Sequence, residues 1–148
     1  ATREAFLTLL RTAHEFERAL AAFLAPHGLT ATQYNVLRIL RGARPEALPC
    51  RTVGARMVAP VPDVTRLLDR LERAGWVERR RDAADRRVVT ARITPAGLDL
   101  LAALDEPLAA WHRRTLGGLD AAGLTRLTDL LKRARAGLAD AGEAEPLA

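Results

Sequence analysis

The apolar residues of this chain recur mostly at helical spacing, and the pattern predicts six helices. Their expected ranges are residues 3–24, 31–41, 50–58, 61–73, 95–116 and 121–139. Residues that suit an N-cap precede three of these ranges: Thr30, Thr94 and Asp120. Pro107 falls inside the fifth range, so a kink or break is expected near Asp105. Residues 142–148 are expected to fray.

A hairpin interrupts the helical spacing between the fourth and fifth helices. Two short runs, residues 76–81 and 87–93, are separated by a polar turn. The second run alternates as a half-buried strand does, and its apolar members are Val89, Ala91 and Ile93. Gly75 ends the fourth helix, since glycine readily takes the left-handed conformation of a C-cap. The order helix, turn, helix, hairpin predicts a mainly α winged helix-turn-helix with a two-stranded wing.

Composition narrows the classes of protein that fit. The chain has 148 residues, enough for one domain with a substantial core, and 49% of them are hydrophobic. No apolar run approaches the roughly 20 residues that span a bilayer, and no signal-peptide pattern opens the chain, so we expect a cytoplasmic protein without a membrane partner. Its single cysteine, Cys50, excludes an internal disulfide and fits a reducing compartment.

Enzyme chemistry finds no support in the residue pattern. The three histidines, His14, His27 and His112, show no metal-binding spacing. No phosphate-cradling glycine motif and no nucleophile elbow is present. We therefore expect no catalytic residue, no metal site and no cofactor.

Positive charge is concentrated around the predicted hairpin. The formal net charge is +5, and Lys132 is the only lysine among the basic residues. Overall charge favours nucleic acid only modestly, because arginine-rich surfaces are often merely solvated. Its placement is more specific, since six arginines crowd the hairpin and three lie on the helix before it: Arg79, Arg80, Arg81, Arg86, Arg87 and Arg92, with Arg66, Arg70 and Arg73. This clustering predicts double-stranded DNA as a partner.

The exposed residues in the first turns of a helix lie closest to base edges when that helix enters the major groove. On the fourth helix those residues are Pro62, Asp63, Thr65, Arg66, Asp69 and Arg70. Arg66 and Arg70 can make bidentate contacts to guanine, each worth roughly 1–3 kcal/mol of discrimination. The alternative is pairing on the helix surface, Asp63 with Arg66 and Asp69 with Arg73. Asp63 is expected to cap the helix rather than to accept from cytosine.

Several segments follow the order and spacing of a known family. They are Thr65-Arg66-Leu67 with Asp69-Arg70-Leu71-Glu72, Gly75 with Val77-Glu78-Arg79, Asp85-Arg86-Arg87, Ile93-Thr94-Pro95-Ala96-Gly97, and Gly28-Leu29-Thr30 with Gln33-Tyr34. Over most of its length the chain thereby resembles the MarR family of bacterial transcriptional regulators. One departure is the start of the fourth helix, where many relatives have a Ser-Pro-Ser-like sequence and this chain has Pro60-Val61-Pro62-Asp63.

The resemblance implies one domain over residues 1–148, with a DNA-binding lobe at 30–94 and dimerisation helices at 1–28 and 95–140. It implies a homodimer that binds palindromic operators, usually as a repressor, and that a small ligand or an oxidant releases. In the family pattern Asp85 orients Arg87 for insertion into the minor groove. Arg86 would share that role or contact phosphate, and further phosphate contacts would come from Arg51, Arg79 and Arg80.

Ligand pockets in this family lie between the dimer helices and the DNA-binding lobe. The resemblance makes four residues candidates for such a pocket: His14, Arg18, Tyr34 and Trp111. Each of these residue types is more often a packed aromatic or a surface side chain than a ligand contact. The sequence names neither the operator, nor the regulated genes, nor the effector.

Two alternatives remain open at this level. Cys50 would be a thiol-based redox switch, although the reactive cysteine of peroxide-sensing relatives lies on the first helix, where this chain has none. A winged helix that binds proteins and not specific DNA is the other alternative, and the basic hairpin argues against it.

Overall fold

The computed structural model describes residues 1–142, and the side chains of residues 1–138. Within this part of the chain the α-helices are α1 (Thr2–Leu24), α2 (Ala31–Gly42), α3 (Cys50–Arg56), α4 (Val64–Arg73), α5 (Pro95–Thr115) and α6 (Ala121–Gly142). The expected mainly helical winged fold is confirmed. The end predicted to fray, apart from its first residue, lies outside the described residues.

Three strands form a small antiparallel sheet in which β3 lies between the other two. They are β1 (Leu48–Pro49), β2 (Val77–Arg81) and β3 (Val89–Ile93). The predicted two-stranded wing is confirmed as β2 and β3, and a third strand that was not predicted, β1, pairs with the middle of β3. A two-residue strand is too short to show alternation, and its proline lacks an N–H, which suits the edge position that β1 occupies.

The chain divides into two compact units, Ala1–Ala103 and Leu104–Ala148. The core of the first unit comes from α2, α3, α4 and the sheet. Its members at 2% exposure or less include Val36, Leu37, Leu40, Val53, Leu68, Leu71, Val77 and Ala91. This core fixes α4 and the wing as parts of one body, which is what positions the candidate site.

Several expected boundaries shift in the structure. Helix α4 begins at Val64 and not at residue 61, because Asp63 caps it and Pro62 precedes the cap. Helix α3 ends at Arg56, and Val58, the last residue of the predicted range 50–58, is 90% exposed. Helix α5 is continuous through Pro107, so the expected break is absent.

A hydrogen-bonded junction ties the end of α4 to the start of α5. Gly75 has φ +79°. The N–H groups of Gly75 and Trp76 donate to the backbone carbonyls of Glu72 and Leu71, respectively, and this pattern is a Schellman C-cap. Thr94 Oγ1 donates to the Gly75 carbonyl at 2.6 Å and accepts from the Gly97 N–H at 3.2 Å. The Gly75 and Thr94 segments therefore form one structural unit that holds the wing against α4.

Both terminal helices expose apolar side chains. In α1 only Leu24 is buried, while Phe6, Leu9 and Leu10 are 57%, 41% and 52% exposed. In α6, Leu124, Leu131 and Leu138 are 36%, 42% and 69% exposed. The amphipathic patterns predicted for these helices are present, and these apolar side chains remain exposed among the residues that the structure describes.

Candidate nucleic-acid interface

Helix α4 presents a polar face opposite its buried one. Leu67, Leu68 and Leu71 are buried. The opposite face exposes Thr65, Arg66, Arg70 and Arg73. Asp63 is the N-cap, and its Oδ1 accepts from the Arg66 N–H at 3.0 Å, which confirms the expected capping role. The structure therefore retains an N-cap for α4 although the serine of the family pattern is missing.

The guanidinium groups of Arg66 and Arg70 are available to a partner. They lie one helical turn apart on an exposed face, and neither forms an ion pair with another side chain of the described residues. The alternative, pairing on the helix surface, is not present for either pair. Asp63 accepts from a backbone N–H of Arg66, and Asp69 pairs with Arg79 and not with Arg73.

Arg79 ties the wing to α4. Its Nη2 and Nε donate to Glu72 Oε2 at 2.7 and 3.1 Å, and its backbone N–H donates to Glu72 Oε1 at 3.0 Å. The same guanidinium also contacts Asp69, and only 19% of the Arg79 side chain is exposed. We had expected Arg79 to contact a DNA phosphate. Because its donors are committed to two carboxylates, the structure instead makes it the link that sets the position of β2 on α4.

This link predicts acid sensitivity. Hydrogen bonds from the Arg79 side chain, more than any other cause, hold the pKa of Glu72 below its ordinary value. A depressed carboxylate pKa adds stability above the unfolded-state value of about 4.3 and loses it as pH falls through the folded-state value. We expect Glu72→Gln to cost roughly 1 kcal/mol of unfolding free energy at neutral pH, since the pair is partly exposed.

The same variant should also flatten the decline of stability below about pH 5. Urea unfolding followed by circular dichroism across pH 3–7 measures both effects. Glu46→Gln, which removes an exposed carboxylate in the loop before β1, is the matched control. An identical acid decline in wild type and Glu72→Gln would contradict the role of this link.

The wing tip is a folded turn held by two aspartates. Asp82 Oδ1 accepts from the N–H groups of Ala84 and Asp85 at 2.8 and 3.0 Å. Asp85 Oδ1 accepts from the Arg87 backbone N–H at 3.0 Å and from Arg87 Nε at 3.2 Å. The backbone bond, followed by the side-chain bond, lowers the pKa of Asp85. The pairing of Asp85 with Arg87 that the resemblance implied is therefore present.

Arg87 projects from this turn into solvent. Its side chain is 93% exposed although Asp85 holds its Nε, so the remaining guanidinium face is open. Arg81 Nη1 donates to the Arg86 carbonyl at 2.9 Å and closes the turn from the opposite strand. The tip thus presents an oriented cation on a short, internally bonded loop.

The other predicted phosphate contacts lie around this surface. Arg51 on α3 and Arg86 in the turn are exposed and have no side-chain ion pair within the described residues. Arg80 is 69% exposed and lies 3.4 Å from Glu78, which also pairs with Arg92 across the wing. Each of Arg51, Arg80 and Arg86 therefore presents an exposed side chain.

The candidate effector residues are not gathered in one described site. His14 and Arg18 lie on exposed turns of α1. Tyr34 accepts a hydrogen bond from Arg38 Nη1 at 3.0 Å. Trp111 belongs to the second unit, where its ring lies 5.4 Å from that of His112. A ligand site that includes these residues remains a prediction.

Cys50 is the first residue of α3 and is partly buried. Burial raises the pKa of its thiol, which disfavours the reactive thiolate. No group of three His, Cys, Asp or Glu side chains that could hold a metal ion occurs within residues 1–138. Among the described helices none combines the length and the apolar character that crossing a bilayer requires.

The sequence and the fold of this chain were compared with those of known proteins. The MarR family model matches residues 27–88, which contain α2, α3, α4, strand β2 of the wing and the turn that follows it. The crystal structure of a MarR transcription factor from Planctomyces limnophilus is 40% identical, and the match covers 89% of this chain and 96% of that one with a TM-score of 0.72. This chain belongs to the MarR family.

Two further members extend the comparison. The HTH-type transcriptional regulator TtmR of Methylorubrum extorquens is 40% identical over 93 residues, which are 63% of this chain but only 47%, about half, of that longer relative. The PcaV transcriptional regulator from Streptomyces coelicolor, solved with its natural ligand, is 28% identical over 89% of this chain and 92% of its own, with a TM-score of 0.74. MarR proteins are transcriptional regulators and not enzymes, which supports a DNA-binding regulator here.

Proposed function

We propose that this MarR-family chain is a homodimeric repressor that binds a palindromic operator and leaves it when a small molecule binds. The observation that carries the proposal is the wing tip, where Asp85 orients an almost fully exposed Arg87. The cationic face of α4 lies on the same compact unit. One protomer therefore offers a helix for the major groove and an arginine for the minor groove.

In the major groove, the first turns of α4 read bases. Thr65, Arg66 and Arg70 are exposed on the face away from the core. A guanidinium fork matches the O6 and N7 acceptors of guanine, and each such contact is worth roughly 1–3 kcal/mol of discrimination. Pro62 and Asp63 lie at the N-terminus of α4, so they approach the base pairs that Arg66 contacts.

In the minor groove, Arg87 supplies the contact and Asp85 prepares it. A narrow A·T-rich minor groove has an enhanced negative potential that attracts arginine. Holding the side chain in place before binding lowers the entropy lost on association. Arg51, Arg80 and Arg86 add phosphate contacts, which give affinity and salt dependence without reading sequence.

Dimerisation follows from the uncovered apolar faces of the terminal helices. Phe6, Leu9 and Leu10 on α1 and Leu124, Leu131 and Leu138 on α6 are exposed in the single chain. Contiguous exposed apolar patches mark association surfaces, and two-fold dimers are the commonest assemblies. A two-fold dimer places two wings and two α4 helices on half-sites about one helical turn apart.

Effector release requires a ligand that binds the DNA-free dimer better than the DNA-bound one. The relative PcaV was crystallised with a natural ligand, which supports such a site in this chain. We place it near His14, Arg18, Tyr34 and Trp111. By linkage, a ligand that weakens DNA binding must itself bind more weakly to the protein on DNA.

Selection of bound fragments from the source genome tests the function and yields the operator. The proposal predicts enrichment of a small set of inverted repeats, and gel shifts in which those fragments bind at least about a thousandfold tighter than scrambled DNA of equal length. Reporter expression from an enriched promoter should fall when the protein is present. Enrichment of random fragments with no common repeat would contradict sequence-specific binding.

A redox role for Cys50 is the second candidate, and its environment opposes it. Because burial raises the pKa of the thiol, mild peroxide is expected to leave operator affinity within about twofold of the reduced protein. Gel shifts before and after peroxide, with intact-mass measurement of the oxidised thiol, check this. Cys50→Ser is the control, and a peroxide effect present in wild type but absent in Cys50→Ser would establish the switch.

A further inference from the structure

The segment that leads into α4 carries no polar side chain. Between Arg56 and Asp63 it reads Met57-Val58-Ala59-Pro60-Val61-Pro62. Met57 is buried, but Val58 is 90% exposed, and Pro60 and Pro62 are exposed as well. Apolar side chains thus stand in solvent at the entrance of the helix that we place in the major groove.

Two of these residues line a groove shared with the cationic face of α4. The groove has a volume of about 290 Å³ and lies between the start of α2 and the first turns of α4. Its lining consists of Thr32, Val61, Pro62, Asp63, Arg66, Leu67 and Arg70. Two arginines and one aspartate line the groove, so its charged side chains carry a net positive charge.

This combination suits one feature of DNA in particular. In the major groove the base edges present donors and acceptors, except that thymine also presents a 5-methyl group. The side chains of Val61 and Pro62 can neither donate nor accept a hydrogen bond, so a polar base edge packed against them loses water without compensation. A thymine methyl packed there is instead buried against apolar atoms. Arg66 and Arg70 carry the positive charge that attracts DNA phosphates and the acceptor atoms of guanine.

We propose that Val61 and Pro62 form a thymine-selecting contact, which reads the 5-methyl group of a base beside the one contacted by Arg66. The inference rests on the proposed function, because it assumes that α4 enters the major groove. It adds a specificity element at the position where this chain departs from the Ser-Pro-Ser-like pattern of many relatives.

The experiment removes the methyl group and leaves every hydrogen-bonding group in place. Each thymine of the selected operator is replaced in turn by deoxyuridine, symmetrically in both half-sites, and dissociation constants are measured by fluorescence anisotropy. Burial of one methyl group corresponds to about a fourfold change in affinity, so the paired replacement should weaken binding roughly 10- to 20-fold at the position that is read. Other thymines should show ratios close to one.

Three variants assign that effect to the groove. Pro62→Ser and Val61→Thr replace apolar surface by a hydroxyl, and each should reduce the uracil-to-thymine ratio toward one. Val61→Thr keeps the side-chain shape, so it gives the answer if Pro62→Ser disturbs the start of α4. Val58→Ser is the matched control, because Val58 is on the same segment and highly exposed but does not line the groove. It should keep the wild-type ratio.

The outcomes separate this inference from the function beneath it. Two results would overturn the thymine contact while leaving the proposed repressor function in place. One is tight operator binding that uracil does not weaken at any position. The other is a uracil effect that persists in both Pro62→Ser and Val61→Thr. Occupation of the groove by a small molecule instead of DNA gives the first of these results. Failure to bind any selected operator overturns the proposed function itself, and the thymine contact with it.

Discussion

Arg87→Ala is expected to weaken operator binding about 10- to 100-fold at moderate salt, because each dimer loses two charged minor-groove contacts. Arg87 is 93% exposed and bonded only through Asp85 within the wing, so its removal leaves no buried group unsatisfied. The unfolding free energy and the dimer mass should therefore stay at wild-type values. Gel shift and analytical ultracentrifugation measure the two properties separately.

The control for Arg87 is a matched loss of charge elsewhere. Arg126→Ala removes an exposed arginine on α6, outside the DNA-binding lobe, and should change affinity less than threefold. The operator affinity of Asp85→Asn is expected to lie between those of Arg87→Ala and Arg126→Ala. This variant loses the carboxylate that orients Arg87 but keeps the charge of Arg87. Unchanged operator affinity in Arg87→Ala would remove the wing from the mechanism.

Gly97→Ala is expected to destabilise the fold by roughly 2–3 kcal/mol, as overpacking against backbone commonly does. A Cβ at this position would lie 2.5 Å from the Trp76 carbonyl oxygen and 2.7 Å from Ile93 Cγ1. Relief would require the first turn of α5 to move away from the base of the wing. Urea unfolding at a single fixed protein concentration measures the loss, since dimer stability depends on concentration.

Gly42→Ala is the control for this substitution. Gly42 is the last residue of α2, and a Cβ there would meet nothing within 4 Å. Alanine is favoured over glycine in a helix by up to about 1 kcal/mol, so this variant should be neutral or slightly stabilised. If Gly97→Ala unfolded within about 0.5 kcal/mol of wild type, the close packing of α5 on the wing would not be required.

The elements that could be predicted from the sequence are those that local chemistry determines. The Thr30 N-cap forms a capping box with Gln33, and Asp120 accepts from the Gly123 N–H at 2.7 Å, both at the expected helix starts. Gly75 takes the expected left-handed conformation with φ +79°. Each of these signals lies within a few residues of the feature that it marks.

Contacts between distant residues were not predictable in the same way. Asp69 has arginines on its own helix, and the rule for side chains one turn apart favoured Arg73. The fold instead brings Arg79 of β2 to Asp69 and Glu72, where one guanidinium satisfies two carboxylates and is largely covered. Side chains that look alike in the sequence therefore have opposite surroundings: Arg79 is largely covered, whereas Arg87 is 93% exposed.

The apolar faces of the terminal helices show what hydrophobic periodicity does not predict. Their periodicity predicted helices correctly, but periodicity does not say which molecule covers an apolar face. Phe6 and Leu138 are 57% and 69% exposed in the single chain, as expected if a second chain supplies the cover. The dimer therefore remains a proposal that the sequence suggests and that the exposed side chains support.

Hydroxyl-radical footprinting of the protein on its selected operator tests the central claim most directly. A two-fold dimer that uses α4 and the wing should protect two symmetric half-sites with centres about one helical turn apart, flanked by minor-groove protection that disappears in Arg87→Ala. One asymmetric protected region, or flanking protection that persists without Arg87, would contradict the account.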